Sequence, residues 1–139
     1  MEYQKFGGTI VARLDPGEEI LTQVKEIALK EHVALASVQA IGAVSRFTAG
    51  VYVTEEKRYL PNEFSGSFEI VSLTGTVSTM DGEFYCHLHM SAGKENGEVF
   101  GGHLSQATVS ATCEMIIHQI DGAVERRYEE KTGLNILRF

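Results

Sequence analysis

Ala107-Thr108-Val109-Ser110-Ala111-Thr112-Cys113-Glu114-Met115-Ile116-Ile117-His118-Gln119-Ile120 is the stretch on which the fold turns. Ala107, Val109, Ala111, Cys113, Met115 and Ile117 fall at alternate positions, with Thr108, Ser110, Thr112, Glu114 and His118 between them. Successive strand side chains point to opposite faces, so this is a strand with one apolar face that needs a cover. Working back along the chain, β-rich stretches recur over Ala36 to Val44, Arg46 to Thr54, Ser67 to Ser78 and Glu83 to Ser91, punctuated by glycine. The link Met80-Asp81-Gly82 is too short for a parallel crossover, so neighbouring strands are expected to be antiparallel.

Before these strands, residues 3–14 read as one further strand, ending at Asp15-Pro16-Gly17-Glu18. Asp15 is placed to cap a helix, Pro16 suits a first turn, and Glu18 sits where a capping-box carboxylate reaches back. Ile20, Leu21, Val24, Ile27 and Ala28 then form one apolar stripe, which predicts a helix to about residue 31. His32, just beyond, reads as a C-terminal capping feature. One helix near the N-terminus against a largely antiparallel sheet is an α+β arrangement. With 139 residues, and no linker or internal repeat, residues 1–139 read as a single domain. Pro61-Asn62 and Ala92 to Glu98 read as surface loops.

The formal net charge is −7, and the 12 basic residues are scattered rather than gathered in a tract. Such a chain repels a phosphate backbone at long range, so DNA is a possible partner that the net charge does not support. The adjacent basic pair Arg126-Arg127 reads as a solvated pair beside Glu125, Glu129 and Glu130. No apolar run approaches bilayer-spanning length, and Met1 to Gly8 has no basic segment followed by an apolar one. The expectation is a cytoplasmic protein without membrane association, in which Cys86 and Cys113 stay thiols.

Chemistry concentrates in Cys86-His87-Leu88-His89-Met90-Ser91 and Gly101-Gly102-His103-Leu104. Phe84, Cys86, Leu88 and Met90 fill one strand face, so Tyr85, His87, His89 and Ser91 occupy the other. That places two imidazoles side by side, and Gly101-Gly102 permits close backbone approach before a third, His103. Three histidines with one open position suit a divalent metal. Imidazole accepts zinc, copper, nickel or iron, and zinc is the first expectation because His₃ plus water is a recurrent zinc arrangement. Glu69, Glu114 and Asp81 are candidates to accept hydrogen bonds from the ligands' other ring nitrogens. His118 reads as a structural strand histidine, and alternation turns Cys86 and His87 apart, which disfavours a Cys/His dyad. The glycine-rich segments contain neither a P-loop nor a dinucleotide fingerprint.

Taken together, Gly66-Ser67-Phe68-Glu69-Ile70-Val71-Ser72-Leu73-Thr74-Gly75, His87-Leu88-His89-Met90-Ser91, Gly101-Gly102-His103-Leu104 and Thr112-Cys113-Glu114 resemble the PPC domain, the plants and prokaryotes conserved domain. The resemblance runs from the strand near Phe6 to the segment Leu134 to Phe139. It implies an α+β fold on an antiparallel sheet, and a homotrimer. Plant members carry AT-hooks for DNA; this chain has no Arg-Gly-Arg-Pro core and is similar to the stand-alone prokaryotic, metal-containing form, often described as a predicted DNA-binding protein. Ser67 stands where plant members tend to have arginine, and Ala107 where glycine is common. The His-x-His followed by a later His is also similar to the zinc ligands of acetolactate decarboxylase, whose fold is related. That analogy suggests a lyase or hydrolase acting on a small carbonyl or ester substrate, with Arg46 or Glu114 assisting the metal. Whether the protein is an enzyme is left open by the sequence, beside the alternatives of a metal-binding domain and a DNA-associated regulatory module.

Overall fold

Eight strands form one sheet, the long ones built on alternating apolar residues, and a single amphipathic helix covers part of it. The computed structural model describes residues 1–139. In chain order the elements are β1 (Glu2–Phe6), β2 (Thr9–Leu14), α1 (Ile20–Lys30), β3 (Ala36–Val53), β4 (Arg58–Met80), β5 (Glu83–Gly93), β6 (Val99–Gln119), β7 (Glu125–Glu129) and β8 (Leu134–Arg138). Along the sheet the order is β1-β2-β6-β3-β4-β7-β8, with β5 bridging β4 and β6. Every pairing is antiparallel except a single parallel bridge, Thr79 with Glu125, between β4 and β7. No helix is long and apolar enough to cross a membrane.

The core forms where α1 meets the sheet. Ile20, Val24, Ile27 and Ala28 on the helix are buried with Ile10, Leu14, Val38, Phe47, Leu73, Leu88, Met115 and Ile117 from the strands. Each large aliphatic side chain removed from water contributes about 1.5–3 kcal/mol, so the pattern of buried faces, more than any one bond, selects this topology. Cys113 is buried, Cys86 is half-buried, and both are free thiols.

Several boundaries differ from the sequence reading. Residues 3–14 are two strands, because Gly7 takes φ 58° and turns the chain between Phe6 and Thr9. The helix cap is Glu19, not Asp15: the Glu19 carboxylate accepts from the Leu21 and Thr22 amides, while Asp15 pairs with Arg13. Glu18 does reach back, accepting from the Asp15 amide at 2.7 Å. Pro61-Asn62 is strand, not loop. There β4 pairs only with β3, so its other edge is open and can hold a residue without an N–H. Ala111 is exposed, since the β3–β6 register shifts between Gly42/Cys113 and Val44/Val109 and breaks the alternation.

Candidate metal centre

Register brings the three histidines together. In β5, His87 and His89 lie opposite Thr76 and Thr74 of β4, while Leu88 between them is buried in the core. On its other edge β5 meets β6, where His89 is paired directly with His103. The long β6 strand thus begins before the alternating stretch and carries Gly101, Gly102 and His103 within it. Gly102 has φ 146°, and a Cβ there would overlap the Gly50 carbonyl of β3. Only glycine lets β3, β5 and β6 pack this closely around the third histidine.

The ligating atoms of His87, His89 and His103 all lie within 4.8 Å of one another. The ring centroids are 5.1 Å apart for His87 and His89, 5.0 Å for His87 and His103, and 5.5 Å for His89 and His103. Around a tetrahedral zinc with bonds of 2.0–2.1 Å, such nitrogens stand roughly 3.4 Å apart. Small ring rotations close that difference, so this donor set fits a divalent cation. Three side-chain ligands leave room for a fourth, exchangeable one.

Electrostatics favour the ligating state. Burial, then the neighbouring His103 and His89 and the Arg126 charge, lower the His87 pKa to about 4. His103 is also lowered, first by burial and then by His89. At neutral pH these two rings keep their lone pairs free for a metal. Tyr59 supports the third ligand: its hydroxyl donates to the His103 carbonyl at 2.9 Å, and its ring stands edge-on to the imidazole.

The three carboxylates singled out from sequence are placed elsewhere. Glu69 lines a cleft with Lys94, Glu114 lines a groove with Ile116, and Asp81 lies in the β4–β5 turn; none accepts a hydrogen bond from the three imidazoles. Arg46 is exposed at the β3 bulge. His118 contacts the Thr9 hydroxyl at 3.1 Å on the surface, and His32 ends the helix with φ 55°. The largest departure is Arg126, which is 8% exposed and not solvated. The alternation of Glu125, Arg126 and Arg127 within a short strand carries the signal that one arginine turns inward.

These strands, one covering helix and three clustered imidazoles define a β-rich domain with a candidate metal centre on the sheet face. The profile of the Plants and Prokaryotes Conserved (PCC) domain, the same family as PPC, matches residues 1–121. The chain belongs to that family. It is similar to a metal-containing protein of Archaeoglobus fulgidus, with 36% identity, TM-score 0.90, and coverage of 100% of this chain and 99% of that one. A PPC protein of Pyrococcus horikoshii is 33% identical with TM-score 0.86, covering 99% and 94% of the two chains. A Bacteroides thetaiotaomicron protein, suggested by its description to bind DNA, is 27% identical with TM-score 0.96, covering 99% and 96%. The fold is also that of acetolactate decarboxylase from Bacillus subtilis subspecies spizizenii, with 17% identity and TM-score 0.60, covering 84% of this chain and 54% of the enzyme. No curated protein matches.

Proposed function

We propose that this chain is a cytoplasmic, homotrimeric metal-binding protein in which His87, His89 and His103 hold a divalent cation, zinc first among the candidates. The observation that carries this reading is the approach of the three ligating atoms to within 4.8 Å on one sheet face. The metal-containing description of the 36% identical Archaeoglobus protein supports it. Half-buried His87 and His103 beside exposed His89 leave the fourth position open to exchange, which suits a Lewis acid acting on a small carbonyl or ester.

Elemental analysis of purified protein tests the metal reading. Wild type is expected to hold close to one zinc per chain and the His87→Ala/His89→Ala variant almost none. Equal, negligible metal in both removes it. Trimer formation is supported by an exposed apolar surface: Val11, Ile41, Val71 and Ile116 line one groove of about 580 Å3.

A second reading, a DNA-associated module, draws on the description of the Bacteroides relative. It requires salt-dependent duplex binding despite the net charge of −7. No retardation of duplex DNA at low salt would discard it.

A further inference from the structure

Arg126 enters the site from a part of the chain beyond the family match, which ends at residue 121. The β7–β8 hairpin is anchored at both ends. Near the start of β7 the Thr79 amide donates to the Val124 carbonyl at 3.2 Å, and at its turn the Tyr52 hydroxyl donates to the Thr132 carbonyl at 2.9 Å. Between these anchors Arg126 turns onto the sheet face that carries Tyr85 and His87. Its guanidinium carbon stands 4.6 Å from the Tyr85 ring centroid. Nε donates to Ser78 Oγ at 2.8 Å, Nη1 to the Asn135 carbonyl at 2.8 Å, and Nη2 to Thr76 Oγ1 at 3.5 Å.

Every one of those acceptors is neutral. Arg126 takes part in none of the protein's ion pairs; nearby Glu129 pairs with Arg127 at 3.9 Å, and Glu125 accepts from the Thr79 hydroxyl at 2.6 Å. A permanently charged group withdrawn from water without a counter-charge is costly, and an anion relieves that cost. Three partners also leave part of the five-donor fork unused. Thr76, which holds Nη2, is the direct cross-strand partner of His87, and such pairs bring their Cβ atoms within about 5 Å. The charge therefore lies on the His87 side of the three imidazoles. A bound dication would add further positive charge to a place that contains no carboxylate.

We propose that Arg126 is the anion seat of the metal centre, selecting a small carboxylate whose second oxygen donor reaches the open metal position. The proposal rests on the metal reading above and adds the ligand class. Arginine suits the role because its planar fork matches the two carboxylate oxygens.

Glycolate, with neutral glycolamide as its control, is the probe. In cobalt-loaded wild type, glycolate is expected to change the cobalt visible spectrum saturably, whereas glycolamide has little effect. Arg126→Gln is expected to bind cobalt fully yet need at least about tenfold more glycolate, the loss of a charge-assisted contact, with Arg126→Lys intermediate. An unchanged glycolate requirement in a folded Arg126→Gln, or equal responses to glycolate and glycolamide, overturns the proposal. The metal-free wild type provides an arm that depends on neither variant nor metal: the Arg126 Nε–H resonance is expected to shift with glycolate and not with glycolamide. A resonance unmoved by glycolate overturns the seat. Failure of cobalt to bind wild type overturns the metal reading instead.

Discussion

His87, with His103 acting in the same direction, carries the pH response of the metal-free protein. Its pKa is lowered from the usual 6.5 to about 4, so the unfolded chain takes up a proton before the folded one does. Stability is therefore expected to fall as pH drops from about 6.5 toward 4, the window between those two values. Denaturant midpoints at pH 7, 5.5 and 4.5 check this, and His87→Ala is expected to flatten the dependence. Glu31 acts in the same direction at lower pH: the Tyr3 hydroxyl, and then Lys5, hold its carboxyl below the usual range, against the effect of desolvation. That contribution is present above about 4.5 and lost as pH falls through the lowered value. Burial pushes the Cys86 thiol up to about 12 and Cys113 to about 11. Native protein treated with iodoacetamide at pH 8 is accordingly expected to remain unmodified at both by mass spectrometry. At this scale the three histidines were legible as a group because alternation depends only on neighbours in the chain. Arg126 was misread because the hairpin that buries it is folded down by Tyr52 and by the β4 segment at Thr79, residues far away in sequence.

Among the elements, α1 illustrates how a local signal competes with tertiary contacts. The local pattern points to Asp15 as the cap with Glu18 reaching back, and nothing in it marks Glu19. Glu19 takes the capping role because its carboxylate satisfies the Leu21 and Thr22 amides and also the Ala107 amide of β6 at 3.1 Å. Glu19→Ala is expected to cost about 1 kcal/mol or more by chemical denaturation, the usual cap loss plus a broken tie to the sheet. For β6, Gly102→Ala is expected to reduce metal stoichiometry and stability together, because the new Cβ meets the Gly50 carbonyl and displaces His103. Full metal content with unchanged stability in that variant would contradict the close-approach role. Strand identity was readable from alternation, yet strand length was not: β3 runs unbroken through the apparent break at Ser45, with a register shift between Val44 and Arg46. A bulge leaves little trace in composition, since any residue can occupy it.

At the scale of the whole molecule, the sheet has two unequal faces. One is covered by α1, while Ile41 and Val71, each 58% exposed, sit with Val11 and Ile116 along an open groove. For the proposed trimer this groove is the expected contact. Ile41→Lys/Val71→Glu is expected to sediment as a single 15.3 kDa chain with an unchanged circular dichroism spectrum. A variant that still sediments with wild type would place the contact elsewhere. Such a separation also tests whether the metal centre is complete within one chain, as the distances among His87, His89 and His103 imply.

Sequence by itself determined the sheet-rich α+β class, the single helix, the antiparallel pairing and the family, because periodicity, short links and ordered motifs are properties of neighbouring residues. It also selected His87, His89 and His103, since two of them share a strand face by construction. Only the tertiary structure decided that His103 pairs with His89, that Glu69, Glu114 and Asp81 lie away from the imidazoles, and that Arg126 is buried against Thr76, the cross-strand partner of His87. The physical reason is register. Which residue meets which across β4, β5 and β6 is set by packing against the core and by glycines that let backbones approach, interactions summed over the whole sheet and absent from any one segment.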